Sequence, residues 1–211
     1  MSRATIILAG GSSRRLGGNK PFQLLLNRPL LQHTLMRVQR FCEETVITIG
    51  RGDRVEDYQD FLSSGVIVVR DEQLLQSPLI GMLTGLRRVK SDYALVLPCD
   101  LPFVNEPIVR LLFKRASGYE ASVPKWPNGN IEPLHSVYDV SSAELAAEET
   151  IRSGQLKVSR MIERLERVVY VDTRELRTLD KDLLTFFNIN ARQDLQKAEK
   201  ILKLSYRFHQ P

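Results

Sequence analysis

Residue types and patterns that are typical of several functional classes are scarce in this chain of 211 residues. Its two cysteines, Cys42 and Cys99, have no C-x-x-C spacing and no histidine cluster beside them, which argues against a disulfide framework and a zinc site. Cys42 has the features of a small core residue at a helix end. A reducing setting suits both thiols, so we expect a cytoplasmic protein.

Long apolar runs and a strong charge excess are also missing. No apolar run approaches the ~20 residues that span a bilayer, and no signal region precedes the first predicted strand, so we expect no membrane association. The formal net charge is only +5. Because the basic residues are spread out without interleaved aromatics, nucleic acid is not an expected partner, and small acidic molecules are modestly favoured.

Familiar nucleophilic catalysts are absent from the sequence pattern. The three histidines, His33, His135 and His209, are isolated from one another along the chain. No Ser-His-Asp or Cys-His arrangement is suggested. Each histidine therefore fits a core or surface position better than a catalytic one.

The segment from Leu8 to Lys20 carries the strongest chemical signal that is present. It reads L-A-G-G-S-S-R-R-L-G-G-N-K directly after the apolar run at 4–8. Glycines allow backbone N–H groups to approach a ligand closely, and Arg15 and Lys20 can balance several negative charges. This combination predicts a polyphosphate site, with a flexible surface turn as the alternative.

Two common phosphate loops do not match this segment. A Walker A loop ends in Gly-Lys-Ser/Thr, whereas this chain has Gly18-Asn19-Lys20-Pro21, and adjacent Gly10 and Gly11 do not fit G-x-G-x-x-G. Pro21 disfavours a long helix that begins inside the loop. We therefore expect an open loop, not a helix N-terminus, to hold the phosphates.

Short β-branched runs alternate with amphipathic stretches, which predicts a single α/β domain with a mostly parallel sheet covered on both faces. Strands are predicted at 4–8, 45–49, 66–69, 93–97, 122–123, 135–138 and 168–171. Helices are predicted at about 29–42, 53–63, 79–90, 105–117 (with Gly118 as its stop), 142–153, 157–165 and 191–204.

Acidic residues follow two of the predicted strands, as Asp71 in Arg70-Asp71-Glu72 and Asp100 in Pro98-Cys99-Asp100. Ligands of open α/β sheets collect beyond the carboxyl ends of the strands, so these carboxylates should face the glycine-rich loop. Asp100 is a candidate Mg²⁺ ligand; its alternative role is to cap the helix near Asn105. The alternative role of Asp71 is that of a turn residue after its strand.

Triphosphate, magnesium and a cationic loop together indicate displacement at phosphorus, which depends mainly on positioning and charge neutralisation. Lys20 and Arg15 are the candidates to hold the polyphosphate and stabilise departing pyrophosphate.

The motif Leu8-Ala9-Gly10-Gly11-x-Ser13-x-Arg15-x-Gly17-x-x-Lys20 resembles the signature of nucleotidyltransferases with a Rossmann-like fold. Later segments narrow the resemblance to the molybdenum cofactor guanylyltransferases. These segments are 77–82 (SPLIGM), 98–103 (PCDLPF), 131–138 (IEPLHSVY) and 188–195 (NINARQDL).

The resemblance implies a Rossmann-like three-layer α/β/α sandwich of the nucleotide-diphospho-sugar-transferase type, spanning 1–211. Residues 1–103 would form a nucleotide-binding half, 104–204 an acceptor-binding half and 205–211 a tail. The implied reaction transfers GMP from Mg-GTP to the terminal phosphate of molybdopterin that bears molybdenum, and releases pyrophosphate. Transient molybdoenzyme or chaperone partners are compatible with this role.

The resemblance also implies roles for single residues. Those on the nucleotide side are Leu8, Ala9, Gly10, Gly11, Ser13, Lys20, Asp71 and Asp100. Asp100 would bind the magnesium, and Arg15, Lys20 and Asp100 would be the catalytic group. Glu132, Pro133, Asn188 and Asn190 would border the pterin of the acceptor.

Two departures and several alternatives accompany this hypothesis. Ile49-Gly50-Arg51 stands where the family commonly has an Asn, and Ser77 replaces a usual Gly.

The alternative functions are a CTP-dependent molybdopterin cytidylyltransferase, another GTP-dependent nucleotidyltransferase of the same fold, and a module that binds nucleotide or pterin without turnover. The basic segment Lys197–Arg207 favours a solvated helix face over a partner site.

Overall fold

A seven-stranded sheet runs through the protein, with the predicted N-terminal strand in its interior. The computed structural model describes residues 1–10, 12–13, 18–60, 65–71 and 75–207. The strands are β1 Arg3–Leu8, β2 Ser12–Ser13, β3 Gly18–Asn19, β4 Leu24–Leu25, β5 Arg28–Pro29, β6 Glu44–Ile49, β7 Val66–Arg70, β8 Tyr93–Pro98, β9 Ala121–Lys125, β10 Ser136–Asp139 and β11 Val168–Asp172. The α-helices are α1 Leu30–Val38, α2 Glu56–Gln59, α3 Pro78–Leu86, α4 Glu106–Ala116, α5 Val140–Arg152, α6 Val158–Ile162, α7 Thr173–Leu176 and α8 Arg192–Arg207.

The order of the main sheet is β11-β9-β10-β8-β1-β6-β7. Strands β7, β6, β1 and β8 are parallel neighbours, so their carboxyl ends lie at one edge. Strand β10 runs antiparallel between β8 and β9, and β11 is parallel to β9. Within the described residues the sheet is therefore mostly parallel, as the alternating pattern predicts. The remaining strands form two small antiparallel pairs, β2 with β3 and β4 with β5.

Helices cover both faces of the sheet because successive strand residues point to opposite sides. On one side, Ile7 of β1 belongs to a buried cluster that includes Leu31 of α1 and Leu112 of α4. Its neighbour Ile6 belongs to a second cluster, with Met82 of α3 on the other side. This arrangement confirms the three-layer α/β/α sandwich.

Predicted helices are mostly longer than the observed ones. Helix α3 ends at Leu86, before the predicted end at about residue 90, and Val89 beyond it is still buried. Strand β9 is longer than its predicted pair of residues and includes Pro124. A proline is tolerated there because β10 pairs only with Ala121 and Ser122 of β9.

Local signals mark the ends of α4 as the sequence predicts. The side chain of Asn105 accepts a hydrogen bond from the N–H of Ile108, 3.1 Å away, and caps the helix. The alternative role of Asp100 as this cap is therefore wrong. Gly118 follows the helix with a φ of +81°, a backbone conformation that suits glycine.

The C-terminal helix α8 packs against the N-terminal half of the chain. A small buried cluster joins Ala198 and Leu202 of α8 to Leu25 of β4 and to Phe103 and Ile189. This packing brings the segment that precedes α8 close to the end of β8. Among the described helices, none is long and apolar enough to cross a membrane.

Candidate active site

The loops that leave the parallel strands are held side by side at the carboxyl edge of the sheet. The N–H of Ala9 donates to the carbonyl of Thr48 over 2.8 Å, and the N–H of Cys99 donates to that of Leu8 over 3.1 Å. The N–H of Asp71 likewise donates to the carbonyl of Ile49 at 3.0 Å. These bonds extend the ladders beyond the strand ends, so the polar groups that follow the strands are fixed relative to one another.

A cavity of about 310 Å³ opens at this edge. Its size lies within the range of small-molecule sites. Its walls come from the ends of β1, β6, β7 and β8, from the start of α3 and from the segment before β10. The lining residues are Leu8, Gly10, Lys20, Thr48, Asp71, Gln76, Ser77, Pro78, Gly81, Pro98, Cys99, Asp100 and Leu134.

Lys20 and Asp100 meet directly in this cavity. The Nζ atom of Lys20 forms an ion pair with Oδ2 of Asp100, and the two side chains are 16% and 4% exposed. The same Nζ donates a hydrogen bond to Oδ1 of Asn190 over 2.8 Å. Three sequence-predicted residues, from the glycine-rich loop, the end of β8 and the C-terminal motif, are thus in contact.

Asp100 is held by its backbone and leaves one oxygen unsatisfied. Its carbonyl accepts from the N–H of Ile189 at 3.2 Å, and Thr34 of α1 donates to the neighbouring carbonyl of Cys99 at 3.0 Å. Its Oδ1 is buried without a hydrogen-bond partner. Burial raises the pKa of the carboxyl group, and Lys20 opposes that rise. An orphaned, buried carboxylate oxygen is a suitable hard ligand for a cation.

Asp71 lines the opposite part of the cavity. Its Oδ1 accepts a hydrogen bond from the hydroxyl of Thr84 on α3. Burial raises the pKa of this carboxyl group, and the Thr84 bond counteracts the rise. Thr84 was not predicted from the sequence, because it lies two residues beyond the recognisable segment at 77–82.

Two glycines explain how closely the first loop approaches its neighbour. A Cβ placed on Gly10 would lie 2.5 Å from the backbone nitrogen of Gly50. Gly10 is therefore required for packing against the loop after β6, in addition to any ligand contact. The N–H of Gly50 donates to Oδ2 of Asp53 over 2.8 Å and so stabilises the turn that follows β6.

Gly81 provides a second close approach. A Cβ on it would lie 3.2 Å from the hydroxyl of Thr48 and 3.7 Å from Oδ2 of Asp71. Ser77 is the N-cap of α3, and its side chain accepts from the N–H of Ile80 at 3.3 Å. The serine thus has a local structural role at the cavity wall.

A second cavity, of about 610 Å³, lies beside the first. Glu132 and Pro133 line it, whereas Leu134, the next residue, lines the first cavity. The Nε1 of Trp126 donates to Oε1 of Glu132 over 2.6 Å. Burial raises the pKa of Glu132, and the Trp126 bond opposes the rise. The segment 131–134 therefore separates two adjoining cavities.

Residues 5–168 match the MobA-like NTP transferase domain, which is well over half of the chain. The chain belongs to the MobA-like NTP transferase family. It is accordingly a nucleotidyltransferase.

Relatives cover nearly the whole chain. It is 32% identical to a probable molybdenum cofactor guanylyltransferase of Methanosarcina mazei, over 92% of this chain and 88% of the relative. It is 30% identical to a molybdenum cofactor guanylyltransferase of Desulfosudis oleivorans, over 94% and 95% of the two chains. The crystal structure of molybdopterin-guanine dinucleotide biosynthesis protein A from Archaeoglobus fulgidus matches with a TM-score of 0.81 and 30% identity, covering 95% of this chain and 99% of that one.

Not every residue of the MobA-like signature can be placed. Gly11 and Arg15 lie outside the described residues. Ser13 is described as part of the short strand β2, without its side chain. The Nδ2 of Asn188 donates to the backbone carbonyl of Phe186 at 3.2 Å, so its side-chain amide bonds to the chain itself, two residues before Asn190.

Several cavity residues of this MobA-like chain lie beyond the sequence prediction. Thr48 and Gln76 line the cavity without belonging to a motif, and Cys99 lines it from inside the recognised segment at 98–103. Burial raises the pKa of the Cys99 thiol, so it is protonated and serves packing rather than nucleophilic chemistry. His135 is buried, as expected for a core histidine, and His33 bonds the carbonyl of Leu25 at 2.8 Å.

Proposed function

We propose that the protein transfers GMP from GTP to the terminal phosphate of molybdopterin that bears molybdenum, and releases pyrophosphate. The observation that carries this proposal is the contact of Lys20 with Asp100 in a cavity that Asp71 also lines. The family supplies the reaction class, and the names of the relatives supply the nucleotide and the acceptor.

The guanosine would occupy the part of the cavity that lies between the first loop and α3. Leu8, Ala9 and Gly10 would contact the base through the backbone, since Leu8 ends β1 and both Leu8 and Gly10 line the cavity. Asp71 would accept hydrogen bonds from the nucleoside, because Thr84 engages one of its oxygens and leaves the other available. A half-buried acceptor of this kind favours a ligand with N–H or O–H donors.

The residues present fit a magnesium ion. Asp100 would hold it, because its Oδ1 is a buried oxygen without a partner. Among the described residues no group of three or more His, Cys, Asp or Glu side chains is arranged for a metal, so substrate phosphates and waters would complete the coordination, as magnesium commonly allows. When bound, the ion would neutralise charge on the phosphate oxygens.

The protein residues act by positioning and by charge. An oxygen of the acceptor phosphate forms a bond to the α-phosphorus of GTP, and the bond to the bridging oxygen of pyrophosphate breaks. Pyrophosphate leaves with the electron pair of that bond, and Lys20, with Arg15 as the second predicted cation, would stabilise its charge. The attacking phosphate is already an anion at neutral pH, so no side chain has to remove a proton.

The acceptor would lie on the far side of segment 131–134, in the second cavity. Glu132 and Pro133 line that cavity, and Asn190 reaches Lys20 from the same half of the chain. These contacts support the division into a nucleotide-binding half at 1–103 and an acceptor-binding half at 104–204. Free Cys42 and Cys99 suit a reducing compartment, which supports a cytoplasmic location.

Nucleotide preference tests the proposal directly. The protein would be incubated with GTP or CTP, each with magnesium and the molybdenum cofactor, and both nucleotide transfer and pyrophosphate would be measured. We expect GMP transfer to prevail. Preferential CMP transfer would identify a cytidylyltransferase and refute the guanine assignment.

The same assay separates an enzyme from a binding module. Asp100→Asn should slow pyrophosphate release at least about a hundredfold, because the only carboxylate placed to hold magnesium among the described cavity residues near Lys20 is lost. Asp182→Asn, which changes an exposed carboxylate elsewhere, is the matched control and should leave the rate unchanged. Equal rates for Asp100→Asn and the parent would remove Asp100 from the mechanism. No release from the parent protein would favour a module without turnover.

A further inference from the structure

A groove on another part of the surface combines an apolar floor with arginines that form no ion pair with any described residue. It encloses about 450 Å³ between helix α1, the segment 103–107 that follows Asp100, and Leu202 of α8. We call it the α1 groove. It shares no lining residue with the nucleotide cavity or with the second cavity.

One face of α1 supplies the basic wall. His33, Met36 and Arg37 lie three to four residues apart on α1, which places them on the same side of the helix, and Arg40 follows two residues after the helix ends. The opposite side of the helix, represented by Leu31 and Leu35, is buried in the core. The basic face is therefore the outward one; Arg37 is exposed on it, and Arg40 is exposed just beyond the end of the helix.

The positive charge of this wall is not neutralised within the described residues. Arg28, Arg37 and Arg40 make no ion pair there, whereas many other arginines do. The carboxylate that lines the groove, Glu106, is already engaged by Arg110 at 2.6 Å. Burial lowers the pKa of His33, and the positive charges of Arg28 and Arg37 lower it further.

The floor is apolar and suits a protein side chain. Phe103, Pro107 and Leu202 line it, and Met36 is 41% exposed at its rim. Arginine and methionine beside apolar surface are enriched at protein interfaces. A small inorganic anion would instead require buried, converging donors, whereas Arg28 lies in β5 before α1, Arg37 on α1 and Arg40 after its end.

We propose that the α1 groove docks an acidic segment of a partner protein, with glutamate or aspartate against Arg28, Arg37 and Arg40 and an apolar side chain on the Phe103 floor. Charge complementarity selects this occupant. The groove is separate from the site of the reaction proposed above. It is linked to Asp100 through segment 103–107, which follows Asp100 in the sequence.

Two double variants with the same change of charge test this docking. Arg37→Glu/Arg40→Glu alters the groove, and Arg88→Glu/Arg167→Glu alters exposed arginines elsewhere; each takes the formal net charge from +5 to +1, because each substitution removes two units. The probe is a fluorescent glutamate-rich peptide with two spaced leucines, together with the same peptide carrying glutamine in place of glutamate. Binding is measured by anisotropy at 0.15 M salt, after thermal unfolding has checked that both variants fold.

We expect the parent protein and the Arg88/Arg167 variant to bind the acidic peptide alike, and the Arg37/Arg40 variant to bind it at least about tenfold more weakly. The glutamine peptide should bind the parent protein about as weakly as the acidic peptide binds the Arg37/Arg40 variant. Equal weakening in both variants would show attraction by net charge alone and overturn the proposal, as would no binding at about 1 mM peptide. Self-association of the parent that Arg37→Glu/Arg40→Glu abolishes would assign the groove to a second copy of this chain and equally overturn it.

Discussion

Asp100 is an unusually placed carboxylate at the scale of single residues. It is 3% exposed, its Oδ2 is paired with Lys20, and its Oδ1 has no hydrogen-bond partner. An unsatisfied buried acceptor costs about 1–3 kcal/mol. The fold therefore retains a destabilising group at the point where the proposed chemistry needs an oxygen ligand, which is typical of functional sites.

Thr84 offers a prediction at the same scale. Thr84→Val removes the hydroxyl that holds Asp71, so the carboxylate should orient less well toward the nucleotide and its pKa should rise further. We expect the KM for GTP to increase about three- to tenfold with a small change in kcat, because one neutral hydrogen bond to a charged group is lost. Steady-state kinetics with varied GTP measure the effect.

The pH profile of that variant identifies Thr84 as a positioning residue. Since a higher pKa means that Asp71 is protonated at higher pH, the acidic limb of kcat/KM should move to higher pH in Thr84→Val. Thr84→Ser keeps the hydroxyl and should restore both the KM and the limb. An unchanged KM in Thr84→Val, or a failure of Thr84→Ser to restore it, contradicts this role.

At the scale of elements, the loops after β1 and β6 are packed backbone against backbone. Gly10→Ala would place a Cβ 2.5 Å from the nitrogen of Gly50, and neither partner is a flexible side chain that could move away. We expect the free energy of unfolding to fall by about 1–3 kcal/mol. Urea unfolding followed by circular dichroism measures the change.

A glycine in the loop after β6 provides the control. Gly52→Ala adds a Cβ that has no atom within 4 Å, and its φ is not in the left-handed region. It should leave stability unchanged or raise it by up to about 1 kcal/mol, through the entropy of the unfolded chain. If both alanine variants unfold alike, the close packing of the two loops is not what requires Gly10.

The elements themselves were largely predictable from the sequence, but their partners were not. Apolar runs at 4–8 and 93–97 identify buried strands because parallel strands covered on both faces are apolar throughout. The antiparallel direction of β10 is not encoded in its own residues, since it depends on how the chain returns to the sheet. The same limit applies to Thr84, whose contact with Asp71 joins a helix to a strand end.

At the scale of the whole molecule, the site joins the two ends of the chain. Lys20 and Asn190 are 170 residues apart and share a hydrogen bond of 2.8 Å. The cluster of Leu25, Phe103, Ile189 and Leu202 holds α8 against the N-terminal half and so supports that contact. The motifs supply the residues proposed for the chemistry, and only the packed molecule brings the C-terminal motif beside the first loop.

Acid stability is a property of this packed whole, and His135 should contribute to it. His135 lies at the junction of β10 with the 184–186 turn, where its Nε2 and the hydroxyl of Thr185 are 3.2 Å apart and its ring contacts Phe186. Burial lowers its pKa from 6.5 to about 3. Below pH 6.5 the unfolded chain therefore binds a proton that the folded protein does not, and stability is lost as the pH falls toward 3.

His135→Gln removes this titration and keeps a polar side chain. Between pH 7 and pH 5, the free energy of unfolding of the parent should fall by about 2 kcal/mol more than that of the variant, because linkage to one neutral buried histidine reaches that size over this interval. Urea unfolding at several pH values measures how the free energy of unfolding of each protein depends on pH. The contributions of carboxyl groups that titrate in this range cancel when the two proteins are compared.

His33→Gln serves as the control. Burial also lowers the pKa of His33, but this residue is only partly buried, so its removal should alter the slope less. Equal slopes for the parent and His135→Gln would mean that His135 can take up a proton in the folded state, and that the 184–186 turn opens without unfolding of the sheet.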